Sequence, residues 1–408
     1  MAERLKFAVL GAGHGGRAIA AYLAIVGCNV NLYNRTPENI HIIQKSGGIF
    51  LTFAPYLEDY IFPEGIERLE PVPRHEHLLT PKTDKPVEED VKQVFGKLNS
   101  ITSNIEEAVK DRDVIMVVVP ATGHKFMAEQ CAPYLRNGQV ILLNPGRCFG
   151  ALEFYKIVYD YYKGNPPDIT IAEAQTLVYA CRRTKPRSVR VLGVKLSVNV
   201  AAIPAYKTNE AVELLDDSYP QFTPTKSVMN TSLGNMGCVF HVPITILNAT
   251  RIDRKHDFEY YIEGVTEHTA PIIEGLDRER LAVANAMGIE AISARKWLRQ
   301  TYGSEGADLY EAIQNTRSYK GIESPASINT RYIWEDVPTG LVPLSSLGKK
   351  LDVRTPLIDS FIHQATAAMR KEFNINFFKR GRTLRKLGLG DMSIDEIREF
   401  AETGCLNP

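Results

Sequence analysis

The segment "NMGCVFHVPITILNAT" (235–250) places a single imidazole, His241, inside an apolar run. Two readings are open: a core histidine with a satisfied hydrogen bond, or an acid–base group, since histidine titrates near neutral pH without large perturbation. At the other end of the chain, Gly11-Ala12-Gly13-His14-Gly15-Gly16 forms G-x-G-x-x-G. There Gly11 permits a tight turn, Gly13 lets backbone approach a pyrophosphate, and Gly16 lets helix and strand pack closely. The phosphates then rest on backbone N–H groups at a helix N-terminus, with His14 and Gly15 lining the turn. Asn34-Arg35-Thr36 follows the next strand, where NAD sites place a carboxylate for the ribose hydroxyls. With no acid there and Arg35 available for a 2′-phosphate, NADP(H) is favoured, and NAD(H) remains the alternative. Pro120, in "VVVPATGHK", ends a further strand and is placed against the cofactor.

Metal chemistry has little support. His75-x-His77 sits in a charged stretch and reads as a solvated loop, and Cys238-x-x-His241 has no second pair of ligands, so no metal is expected. The six cysteines are scattered without disulfide-framework spacing.

These residues need elements to position them. "LKFAVL", the glycine turn, "RAIAAYLAIVG" and "CNVNLYN" read as strand, turn, helix, strand. Apolar segments at 113–125, 139–147, 168–174 and 189–195 read as further buried strands whose loops gather at one ligand-binding edge. A charged, proline-punctuated stretch near 66–98 reads as a surface insertion without a strand. Beyond about residue 205 helical spacing dominates, as in "DRERLAVANAMG" and "PLIDSFIHQATAAMRKEF". The expectation is an α/β Rossmann domain with a doubly wound parallel sheet over 1–205, followed by an all-α substrate-binding domain over 206–408. The basic "KRGRTLRK" (379–386) reads as solvated surface.

Lys plus Arg equals Asp plus Glu at 48 each, which argues against a nucleic-acid or anionic-membrane partner. No apolar run is long enough to span a bilayer, and the chain enters a strand directly, without a leader pattern, so the cytoplasm is the expected compartment. Monomer against homodimer is left open.

A larger pattern joins these pieces. "GAGHGGRAIAAYLA", "VVVPATGHKFMAE", "ILLNPGRCFGALEF", "AEAQTLVYACR", "HVPITILNATRI", "YYIEGVT", "INTRYIWEDVPTGLVPLSSLG" and "GRTLRKLGLGDMS" together resemble the opine dehydrogenase family. The resemblance runs nearly end to end, except at the insertion. It implies reductive condensation of an amino acid's amine with an α-keto acid, commonly pyruvate, by a reduced nicotinamide cofactor. It also implies a His–Asp pair with a nearby arginine, which by motif fall on His241, Asp336 and Arg331.

The assignments make chemical sense. Pro243 suggests a helix beginning near Val242, whose N-terminus would disfavour imidazolium. Asp336 would offset this and hold one tautomer. Arg331 would grip a substrate carboxylate through its planar fork, its alternative being a domain-interface salt bridge. Asn235 is placed at substrate or cofactor, its alternative being a turn-forming role. A keto- or hydroxy-acid reductase of the same plan, or a non-catalytic NADP sensor, are the competing functions.

Overall fold

The computed structural model describes residues 4–62 and 91–405. Among these residues twelve strands form two sheets. They are β1 (Lys6–Leu10), β2 (Asn29–Tyr33), β3 (Gly48–Phe53), β4 (Lys92–Lys97), β5 (Ser100–Thr102), β6 (Val114–Val117), β7 (Val140–Leu143), β8 (Thr170–Ala174), β9 (Tyr179–Lys185), β10 (Ser188–Val194), β11 (Val198–Ile203) and β12 (Phe222–Pro224). The larger sheet runs β12-β11-β8-β7-β6-β1-β2-β5. All its neighbours pair in parallel except β8 with β11. Central strands such as β6 and β7 are continuous apolar runs because both faces are covered by helices. The chain goes from β1 to β2 on one side and later to β6 on the other, so the strand order reverses beside β1. Ligands bind at that reversal, outside the carboxyl ends of the strands.

The second sheet, β4-β3-β10-β9, was not expected. The 189–195 segment belongs to it rather than to the doubly wound sheet. It forms an antiparallel hairpin with β9, which the sequence hides because Arg182, Arg183 and Lys185 occupy that strand. The end of the supposed strandless insertion contributes β4, a half-exposed edge strand whose charges mask its alternation. His75 and His77 lie outside the described residues. The helix His14–Ile25 packs between both sheets, which explains why it is buried from Gly16 to Ile25.

The large sheet also reaches past residue 205. The helix Thr208–Asp216 packs on β11, and β12 pairs with β11 in parallel before the chain turns wholly helical. The three-residue β12 is too short to leave a period-2 signature. The helical half packs Gly237–Leu247 against Ala270–Ala286, Pro356–Phe373 and Arg331–Trp334. Among the described residues no helix is long and apolar enough to cross a membrane.

Candidate active site

At the end of β1, Gly11 takes φ +115°, and a Cβ there would lie 2.4 Å from the Val118 carbonyl oxygen. A Cβ on Gly16 would lie 1.8 Å from the Gly11 carbonyl oxygen, whereas one on Gly13 would meet nothing within 4 Å. Two glycines are therefore demanded by packing, and the third faces open space where a pyrophosphate can approach. No side chain caps the helix that follows, leaving its first N–H groups for an anion. These residues fit a dinucleotide. Buried Arg17 braces the turn, donating through Nε to the Ala12 carbonyl (2.7 Å) and through its Nη groups to the carbonyls of Asn39 (3.0 Å) and Pro186.

Asn34 Oδ1 accepts the Ala12 N–H (3.1 Å) while its Nδ2 donates to the Thr36 carbonyl (2.9 Å), tying the glycine turn to the end of β2. The Arg35 guanidinium lies over the Phe126 ring, 5.2 Å from its centroid. Thr36 begins the short turn Pro37–Asn39. Pro120 is exposed just beyond β6, its carbonyl accepting the Gly123 N–H (2.7 Å).

His241 and Asp336, 95 residues apart, meet with Nδ1 2.8 Å from Asp336 Oδ2. The helix carrying His241 starts at Gly237 rather than near Val242, so the imidazole sits in its second turn and Pro243 is interior. The early start comes from Asn235, whose Oδ1 accepts the Gly237 N–H (3.0 Å). Asn235 is buried, its Oδ1 also accepts from Arg147 Nη1 (3.4 Å), and its Nδ2 donates to Cys148 Sγ (3.6 Å). Its amide is thus turned onto the protein, as in the turn-forming alternative.

Arg147, which the sequence reading missed, neutralises the pair. It projects from the loop after β7 at φ +61°, with Nη1 3.2 Å from Asp336 Oδ1 and Nε 3.3 Å from Glu335 Oε1. Glu335, also missed, accepts the Ala121 N–H (3.0 Å), so one buried carboxylate joins the helical half to the ends of β6 and β7. Gly237 leaves room for this network: a Cβ there would fall 1.8 Å from Arg147 Nη1. Burial alone would raise the Asp336 carboxyl, but Arg147 and then His241 hold it below the usual carboxylate range. Burial is also the largest influence on His241 and lowers its pKa, Asp336 opposing and Arg147 and Arg331 assisting. The imidazole is therefore neutral at pH 7, with Nδ1–H donated to ionised Asp336 and the Nε2 lone pair free to accept.

In this structure Nε2 accepts from the Tyr261 hydroxyl (3.0 Å), whose pKa burial pushes well above 10, so it remains a donor. The Tyr332 ring stacks on the imidazole at 4.3 Å between centroids. Arg331 is 54% exposed, with Nε 3.4 Å from Glu335 Oε2. The expected solvated stretch at 379–386 is corrected as well. Arg382 is buried and donates to the carbonyls of Cys148 (2.7 Å) and Ala121 (3.1 Å) and to Glu153 Oε2 (2.6 Å). A lone basic residue closing a strand, as in "ILLNPGR", was the available signal for Arg147; nothing local marked Arg382.

Comparison with known proteins agrees with this architecture. Residues 224–369 match the family model for the NAD/NADP octopine/nopaline dehydrogenase alpha-helical domain. The opine dehydrogenase of Arthrobacter sp. (strain 1C) is 37% identical over 402 residues, covering 98% of this chain and all of that one. Octopine dehydrogenase, solved with NADH and agmatine, superposes with a TM-score of 0.74 at 20% identity over 99% of both chains. NADP+-bound yersinopine dehydrogenase gives 0.67 at 14% identity, over 98% of this chain and 99% of that one. The shared fold, the match along the whole chain and the helical-domain signature agree: this chain belongs to the opine dehydrogenase family.

Proposed function

We propose that the chain is an opine dehydrogenase that joins the amine of an amino acid to an α-keto acid of the pyruvate class, drawing on NADPH in preference to NADH. The observation that carries this reading is the His241–Asp336 hydrogen bond beside the edge where the glycine turn opens. Gly11, Gly13, Gly15 and Gly16 with the N-terminus of His14–Ile25 would hold the nucleotide phosphates, and Arg35 the 2′-phosphate. When bound, the reduced nicotinamide supplies a hydride for the imine carbon.

The overall change consumes an ammonium, a ketone, NADPH and one proton, and yields a secondary ammonium, NADP+ and water. Neutral His241 begins as a base. With Tyr261 displaced, Nε2 takes a proton from the substrate ammonium, freeing the amine to add to the ketone. The imidazolium, stabilised by Asp336, returns that proton to the carbinolamine oxygen, which leaves as water. Arg331 holds the keto acid's carboxylate in a bidentate pair.

The test is a spectrophotometric screen of NADPH and NADH oxidation with pyruvate, other keto acids and each amino acid. Oxidation should require both organic substrates. His241→Ala should stay folded and bind cofactor while turnover falls by about two to four orders of magnitude. Robust oxidation with a keto acid alone would promote the simple reductase, and near-normal turnover in the variant would return His241 to the core.

A further inference from the structure

The condensation product carries two carboxylates, one on each side of its secondary amine. Arg331 accounts for one, and its own charge is partly matched by Glu335. A second cation reaches the same place from the sheet that sequence patterning did not reveal. Arg182 on β9 donates through Nη2 to the Tyr332 hydroxyl (3.3 Å), and the Tyr332 ring is the one stacked on His241. Its only other hydrogen bond among the described residues runs from Nη1 to the carbonyl of Cys181 (3.2 Å), so several of its five donors remain for an anion.

Stability does not account for this arginine. Its cross-strand neighbour on β10 is Arg190, so two like charges share one face of the sheet. Such opposition costs stability, and no carboxylate among the described residues pairs with either side chain. Arg182 and Arg331 also converge electrostatically. After burial, they are the leading causes holding the His14 imidazole at the glycine turn below its ordinary value. Both likewise oppose the burial that pushes the Cys181 thiol up to about 11.

We propose that Arg182 is the anchor for the α-carboxylate of the amino-acid substrate, acting beside Arg331, which holds the keto acid. The assignment rests on the opine dehydrogenase reading above. It gives the site two arginines from different elements, a strand and a helix, the first tied through the Tyr332 hydroxyl to the ring stacked on the imidazole. An amine without an α-carboxylate would leave the Arg182 charge unmatched, so the site selects amino acids over simple amines.

The experiment compares amino acids with their decarboxylated counterparts: L-norvaline with butylamine, L-phenylalanine with phenethylamine, and L-arginine with agmatine. KM and kcat are measured for the parent, Arg182→Gln and Arg182→Lys, with NADPH affinity from fluorescence quenching. The parent should favour each amino acid that it uses over the matching amine. Arg182→Gln should raise the amino-acid KM by about ten- to a hundredfold, leaving the keto-acid KM and NADPH affinity unchanged, and should abolish the preference over the amine. Arg182→Lys, keeping a point charge without the fork, should fall between. A preference that survives in Arg182→Gln overturns the assignment, as does a loss confined to NADPH affinity or the keto-acid KM. Should the parent oxidise NADPH with a keto acid alone, the opine reading itself fails, and Arg182 loses its ligand with it.

Discussion

Arg147→Met tests whether the ion network around His241 works as described. Arg147 is 7% exposed and stands between Asp336 (0%) and Glu335 (2%), at 3.2 and 3.3 Å. Methionine keeps much of the volume and removes the charge, leaving two carboxylates in a space that water does not reach. Removing one partner of a buried pair typically costs about 3–5 kcal/mol, mostly because the remaining charge is uncompensated. The sign of the pH dependence is the sharper test. In the parent, both carboxyls are held below their ordinary values against the burial that would raise them, Arg147 being the largest opposing influence. Their contribution is present above the unfolded value near pH 4 and is lost as pH falls. Without Arg147, burial is opposed by Arg331, by His241 at Asp336 and by the Ala121 N–H at Glu335, and at least one folded pKa should rise above its unfolded value. That group then loses stability as pH rises from about 4 through its raised pKa, by up to about 1.4 kcal/mol per pH unit.

The variant should therefore be about 3–5 kcal/mol less stable than the parent at neutral pH, with the difference shrinking towards pH 5. Urea unfolding at pH 5, 6.5 and 8, with m-values compared to confirm equivalent transitions, measures it directly. Turnover should show the opposite pH trend, its deficit growing towards pH 5, because a protonated Asp336 no longer stabilises imidazolium. A stability difference independent of pH, or smaller than about 1 kcal/mol, would refute the claim that Arg147 neutralises this pair.

Two further outcomes follow from other parts of the structure. Replacing Asn34 with Asp and Arg35 with Ala should turn preference from NADPH towards NADH. Losing a charge-assisted fork is worth about 1.5–3 kcal/mol, or about ten- to a hundredfold, and the new carboxylate repels a 2′-phosphate; kinetic constants for both cofactors decide it, and a parent that already prefers NADH would leave Arg35 a surface residue on Phe126. Burial, and after it Arg382, pushes the buried His124 imidazole down to about 3. The unfolded chain therefore binds that proton first, and stability should fall as pH drops below about 6.5, by about 2 kcal/mol at pH 5 from this group. His124→Gln should remove about one proton from the slope of stability against pH between 5 and 6.5, and an unchanged slope in denaturant titrations would contradict the assignment.

The legible parts of the molecule were those whose constraint is local. Gly11 and Gly16 are demanded by atoms of the same turn and of the strand end beside it, so the motif and its flanking strand and helix suffice to place them. The apolar runs of β1, β6 and β7 reveal themselves because both faces are buried. The second sheet escaped because β4 is a half-exposed edge and β9 carries arginines on its length, so hydrophobic alternation is overwritten by charge. Pro243 misled for a related reason. A proline commonly opens a helix, but here the Asn235 side chain receives the Gly237 N–H and the helix starts at Gly237, ahead of the expected Val242.

The residues that escaped altogether, Arg147, Glu335 and Arg382, have partners far away in sequence. Arg147 and Glu335 are 188 residues apart, and Arg382 reaches back 234 residues to the Cys148 carbonyl. No spacing rule connects them, and each alone resembles an ordinary surface charge. All three lie at the seam where the loops after β6 and β7 meet the helical half. An apolar seam of equal volume would often be as stable or more so, because burying charge carries a desolvation cost that ion pairing only partly offsets. What an apolar seam could not do is hold Asp336 ionised and aimed at His241 Nδ1. On this view the network exists to fix one proton's position on one ring, which accounts for charged groups at a place where stability alone would favour leucine.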